Sequence, residues 1–203
     1  MCFSKDISLF AFITGIIGGL LCYKVGTPDY KIIGLFFMFT SLMQGIEYLI
    51  WDHQVCDDYN KNLSKIGLVL NHLQPLILFI LIYIFGKNEN KKYLSLLILY
   101  IIIIIPYSLQ FKNECTIKNK HNHLKWEWND MKYHGLIYFI FLLCFITFGS
   151  LIGTNNMFSL FVAVSYIISY EIYNKKKVIG PMWCFFSILG PYLFLFVRNV
   201  IKI

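Results

Sequence analysis

Two short polar stretches interrupt an otherwise apolar chain. In one, Thr40, Gln44, Glu47 and Trp51 recur at i, i+4, i+7 and i+11. That spacing puts all four on one face of a helix. In the other, Asn71, His72, Gln74 and Pro75 stand together as Asn-His-Leu-Gln-Pro. A carboxylate and an imidazole titrate, and amides donate and accept. Proline lacks a backbone donor, and its ring opposes the carbonyl of Asn71. Such a set resembles the lining of a proton or cation path. Glu47 would titrate or bind the cation, His72 would be its partner, and Gln44, Asn71 and Gln74 would orient the solute. The competing reading is structural. A glutamate near a helix end snorkels to the interface, Trp51 is an interfacial aromatic, and amides join helices.

The elements carrying these residues follow from composition. The 203 residues are 58% hydrophobic and 14% charged, with mean hydropathy +0.62. A soluble domain has about 25% charged residues, so the chain is read as an all-α, polytopic membrane protein. Seven apolar runs, 7–25, 31–51, 65–86, 92–111, 134–152, 156–174 and 178–200, match the length of transmembrane helices in one bundle spanning 1–203. The fourth faces lipid over much of its surface. The first is a retained span, because no small-residue cleavage site follows it. Glu47 lies near the end of the second span and His72 near the start of the third. Both then sit roughly 6–10 Å below one membrane surface, within reach of each other in depth.

The longer loops, 52–64 and 112–133, lie on the N-terminal side of the bundle. The net charge of +7 is scattered over loops without a basic block. It reads as headgroup charge, with a lipid bilayer as partner and no nucleic acid. Lysine is more frequent on the N-terminal side, which favours a cytoplasmic N-terminus. Cysteine points the other way. Cys2, Cys22, Cys144 and Cys184 lie in or beside spans as small apolar fillers. Cys56 and Cys115 lie in the two longer loops on one side. They are either free thiols or, on an oxidising side, a disulfide pair.

A weak internal symmetry suggests a parallel repeat. Pro191 stands in the seventh span as Pro75 does in the third, and both would shape or hinge their helices. Ser41 and Glu47 share their spacing with Ser165 and Glu171. Glu171 and Ser187 would add to a pocket between spans two, three, six and seven. Three helices, a linker helix and three more resemble the layout of PQ-loop and SWEET-type transporters. The family's proline–glutamine dipeptide is absent, and Gln74-Pro75 is its reverse.

Other chemistries lack their residues. A retinal protein needs a lysine within its last span, whereas Lys177 precedes it and Lys202 follows it. A zinc hydrolase of the ceramidase type needs several histidines at depth, and only His72 qualifies. His53, His121, His123 and His134, with Cys56, Asp57, Asp58 and Cys115, include zinc-ligand types. Their spacing fits no compact metal motif, and no metal or other cofactor is implied. Trp126 and Trp128 flank Glu127 in a segment expected to lie on the headgroups.

The patterns Gln44-x-x-Glu47-x-x-x-Trp51, Asn71-His72-Leu73-Gln74-Pro75 and Pro181-Met182-Trp183-Cys184-Phe185-Phe186-Ser187 resemble small seven-span proteins of giant DNA viruses and some algae. The resemblance implies a heptahelical fold, a shared polar face and a host or virion membrane, and no activity. The sequence thus favours a transporter or channel for a small solute, cation or proton. The alternatives are a receptor or membrane-organising protein, and then a membrane-embedded lipid enzyme.

Overall fold

Local signals set most of the helix ends. In the computed structural model, which describes residues 4–86, 93–112, 114–154, 156–173, 183 and 185–201, Ser4 caps α1 (Lys5–Lys24). Its hydroxyl accepts from the Ile7 N–H. Gly26, at φ +88°, turns the chain into α2 (Pro28–Asp52), which opens on proline. Asp57 caps α3 (Asp58–Phe85) by accepting from the Asn60 N–H at 3.0 Å. Then follow α4 (Leu94–Leu109), α5 (His134–Gly149), α6 (Met157–Tyr173) and α7 (Gly190–Ile201).

Helix α2 packs along both α1 and α3, and α7 touches α1 and α2. Helix α5 packs against α3, α4 and α6. Small residues allow the closest approach. A Cβ on Gly19 would lie 2.7 Å from the Gly34 carbonyl oxygen, so α1 and α2 meet backbone to backbone there. At the face away from the N-terminus, the Gly153 N–H donates to Asp29 Oδ1 at 2.9 Å, tying the α1–α2 turn to the end of α5.

The described residues form seven helices, three of which (α1, α2 and α3) are long and apolar enough to cross a membrane. Helices α4 to α6 are apolar but shorter, at 16, 16 and 17 residues. Ile98, Ile102 and Ile105 of α4 are exposed on the outside of the bundle.

Three expectations are corrected. Helix α3 starts at Asp58, not near residue 65, and leaves only a short link after α2. The seventh apolar run is not one helix: residues 188 and 189 form a turn, and Pro191 is the second residue of α7. Proline is at home in a first helical turn, so Pro191 shapes the start of α7, directly after the turn at 188 and 189. Pro75, by contrast, lies inside continuous α3. Third, the segment after α4 is folded into the bundle. Its strands β1 (Ile117–Lys118) and β2 (Leu124–Lys125) form a small antiparallel hairpin, followed by a 3₁₀ turn, Glu127–Asp130. Cys2, Cys184, Lys177, Lys202, Pro181 and Met182 lie outside the described residues.

Candidate solute site beneath the hairpin

Helix α2 turns Thr40, Gln44 and Glu47 inward, and all three are buried. Glu47 is 0% exposed, so it meets neither lipid nor headgroups. One of its partners comes from the hairpin: Trp126 Nε1–H donates to Glu47 Oε1 at 3.2 Å. Trp126 and Trp128 are 2% and 1% exposed, which excludes a place on the headgroups. Their rings lie 4.2 Å apart, in a recess of α3 left by Gly67.

The hairpin is fastened to the start of α3. Cys56 and Cys115 are disulfide-bonded, with Cα atoms 5.5 Å apart. Beside them, Asn60 Nδ2 donates to the carbonyls of His53 and Thr116 at 3.0 and 3.1 Å. The Thr116 N–H donates to Asn60 Oδ1 and Ser64 Oγ, and Ser64 Oγ donates to Thr116 Oγ1 at 2.8 Å. Tyr107 Oη donates to the Trp128 carbonyl at 2.9 Å. Lys125 pairs with Glu127 and Asp130 at 3.0 and 2.8 Å. Its ammonium is held above the usual lysine range, chiefly by Asp130 against the opposing effect of burial, with Glu127 adding to the rise.

The expected Glu47–His72 pair is not made. Starting α3 at Asp58 puts His72 about 21 Å along that helix, whereas Glu47 is about 8 Å from the end of α2. Neither ring nitrogen of buried His72 has a hydrogen-bond partner. The ring instead faces Tyr107, Tyr138 and Phe141, with centroids 5.6, 6.2 and 6.4 Å away. Its backbone carbonyl, in the turn ahead of Pro75, accepts from Tyr100 Oη at 2.8 Å. Asn71 Nδ2 donates to Tyr138 Oη at 3.2 Å, and Tyr138 Oη donates to Asn129 Oδ1 at 3.0 Å.

Deeper still, Gln74, Thr40 and Ser187 line a cavity of about 20 Å³ with Phe36, Phe37, Phe145, Val162 and Trp183. That is room for about one water. Buried Gln44 Nε2 and Gln74 Nε2 have no hydrogen-bond partner. Beyond the cavity the core is aromatic: Phe36 and Phe37 contact Phe145, Phe158, Phe161 and Phe194. The polar groups therefore descend from the hairpin to mid-bundle and stop. Glu171 is not among them. It is exposed on α6, because its one-turn neighbours Ile167 and Ile168 are exposed as well. The neighbouring Ser165 is buried and accepts from Trp183 Nε1 at 2.9 Å.

Neither a family model, nor a curated protein, nor a solved structure matches the chain. The site must therefore be read from its own geometry. The sequence reading missed Asn60, Ser64, Thr116 and Trp126. One signal pointed towards Asn60 and Ser64: Asp57, placed as a helix cap, starts α3 early enough to include both. Among the described residues, no three His, Cys, Asp or Glu side chains converge as metal ligands do.

Proposed function

We propose that the chain is a seven-span integral membrane protein with a transporter- or channel-like role, here in a closed conformation. It would move a small polar solute, cation or proton, admitted from the hairpin face. The observation that carries this reading is the buried row of Thr40, Gln44, Glu47, Asn71, His72 and Gln74. Both His72 nitrogens and the Gln44 and Gln74 amide nitrogens have no hydrogen-bond partner within it. Unpaired polar atoms away from water are costly, and a solute passing along the row would pair them in turn. Glu47 is the acidic group of the row that it would meet first, Gln44 and Gln74 would orient it, and Ser187 borders the deepest point.

Helices α4 to α6, about 24–26 Å long, would complete their spans with flanking turns. A disulfide persists only in an oxidising compartment. The Cys56–Cys115 bond therefore supports a hairpin face, and an N-terminus, on the outside, against the lysine count. The resemblance to proteins of giant DNA viruses and algae suggests a host or virion membrane. The three-plus-one-plus-three repeat is the weaker part of the reading, because Glu171 does not occupy a place equivalent to Glu47.

The phenylalanine layer beneath Thr40 favours a second reading, in which the site binds without passing its ligand and the protein is a receptor or organiser. Flux measurements in liposomes decide between them. The wild-type protein should conduct protons, a common cation or a small polar solute, and Glu47→Gln should slow it about tenfold or more. Equal flux in both proteins removes Glu47 from the mechanism. Absence of flux in both, with and without dithiothreitol, leaves the binding reading.

A further inference from the structure

We infer that the hairpin is a plug over Glu47, latched by the Cys56–Cys115 disulfide and released by a dithiol. The inference rests on Glu47 facing the solute path. Trp126 Nε1–H donates to the carboxylate an entering solute would meet first. The two indoles fill the gap between α2 and α3, and the Gly67 recess is shaped to them: a Cβ there would lie 2.6 Å from Trp126 Cζ3. The ladder behind the indoles is only two residues per strand, and a two-stranded hairpin this small is marginal alone. Its one covalent tie among the described residues joins Cys115, at its root, to Cys56, just ahead of α3.

The two sulfurs differ in access, since Cys56 is exposed and Cys115 is buried. A thiolate of the dithiol therefore attacks Cys56 Sγ. The Cys56–Cys115 bond breaks, and Cys115 leaves as a thiolate that takes up a proton. The second thiolate of the dithiol then attacks its own sulfur in the mixed disulfide. This frees Cys56 as a thiol and the dithiol as a cyclic disulfide, and two electrons have passed to the protein. The hairpin is then held by hydrogen bonds without a covalent tie, those of Asn60, Ser64 and Thr116 at its root, Lys118 N–H to Gln54 Oε1 on β1, and Tyr107 and Glu47 to the tryptophan segment, and it opens more often.

The test is solvent access to Glu47 in the full-length protein in lipid nanodiscs. A water-soluble carbodiimide with taurine labels carboxyls, and mass spectrometry compares Glu47 with exposed Asp58. In the oxidised protein Glu47 should label far more slowly than Asp58. With dithiothreitol, or in the Cys56→Ser/Cys115→Ser double variant, its rate should rise about tenfold, as a cross-link lost from a local opening equilibrium predicts. A maleimide applied in parallel should still not reach buried Cys22 and Cys144. No rise at Glu47 overturns the inference. So does a rise accompanied by reaction of Cys22 and Cys144, because the disulfide would then hold the bundle and not a plug. Release of the plug without flux of any ion or solute sinks the transport reading and leaves the latch standing. Equal flux in oxidised and reduced protein does the reverse.

Discussion

Replacing Gly67 with alanine tests the seat of the hairpin. The new Cβ would lie 2.6 and 2.7 Å from Trp126 Cζ3 and Cη2, and 3.1 Å from Trp128 Cη2. Carbon atoms rest at about 3.5 Å or more, so the rigid indole pair must withdraw by about 1 Å. The Trp126–Glu47 hydrogen bond, already 3.2 Å long, leaves little margin for a shift of that size. Overpacking costs about 1–3 kcal/mol, and the lost hydrogen bond about 1 kcal/mol more. Alanine's better helix propensity returns about 1 kcal/mol. The net expectation is a loss of about 1–3 kcal/mol. Gly45→Ala is the matched control, because its Cβ would sit 3.4 Å from Phe12 Cδ2, in ordinary contact. That variant should be neutral or gain up to about 1 kcal/mol. Urea unfolding in detergent micelles, followed by tryptophan emission, measures both. Gly67→Ala as stable as Gly45→Ala would refute the close seating of the indoles on α3.

Tyr138→Phe removes the hydroxyl joining Asn71 to Asn129, and should cost about 1–2 kcal/mol. Faster amide hydrogen exchange at residues 127–130 should accompany it. Glu171→Gln changes an exposed residue, so stability should stay within about 0.5 kcal/mol and liposome flux should be unaltered; a flux defect would contradict the asymmetry between the two halves. Asp57 predicts an acid dependence. The Asn60 N–H and then His53 hold its carboxyl below the usual carboxylate range. The stability from this is present above the unfolded value of about 3.9 and is lost as pH falls through the lower folded value. Urea midpoints at acid and neutral pH should therefore differ less in Asp57→Asn than in the wild-type protein.

The common face of Thr40, Gln44 and Glu47 on α2 was legible in the sequence from their helical spacing, and its inward direction was not. Nor was what lies opposite that face. The first two turns of α3 carry Asn60 and Ser64, which read as loop residues until Thr116 arrives from a distant segment to pair with them. Tertiary hydrogen bonding overrode local polarity there. The same error displaced His72 in depth and suggested a contact with Glu47 that a longer α3 forbids. Trp126 and Trp128 look interfacial by type, and only the packing of the segment after β2 against Glu47 and Gly67 distinguishes a lipid-facing pair from one that plugs a gap. The likeness of Ser41 with Glu47 to Ser165 with Glu171 holds for burial of the serines and fails for the glutamates. Equal spacing fixes a helical face, and packing decides whether that face turns inward.

The division of the core into a polar half and a phenylalanine half bears on voltage. A potential across a membrane drops mostly where the medium is least polarisable. Between the hairpin face and Thr40 the bundle holds amides, a carboxyl and an imidazole. From Phe37 onward it holds aromatic rings. On the transport reading, with water admitted from the hairpin face, most of the electric field would fall over the few turns between Phe37 and the far surface. The whole drop is worth about 2.3 kcal/mol per unit charge per 100 mV. On the same reading, a cation resting beside Gln74 would have spent little of that energy in arriving, and the phenylalanine layer would be where the membrane potential acts on it.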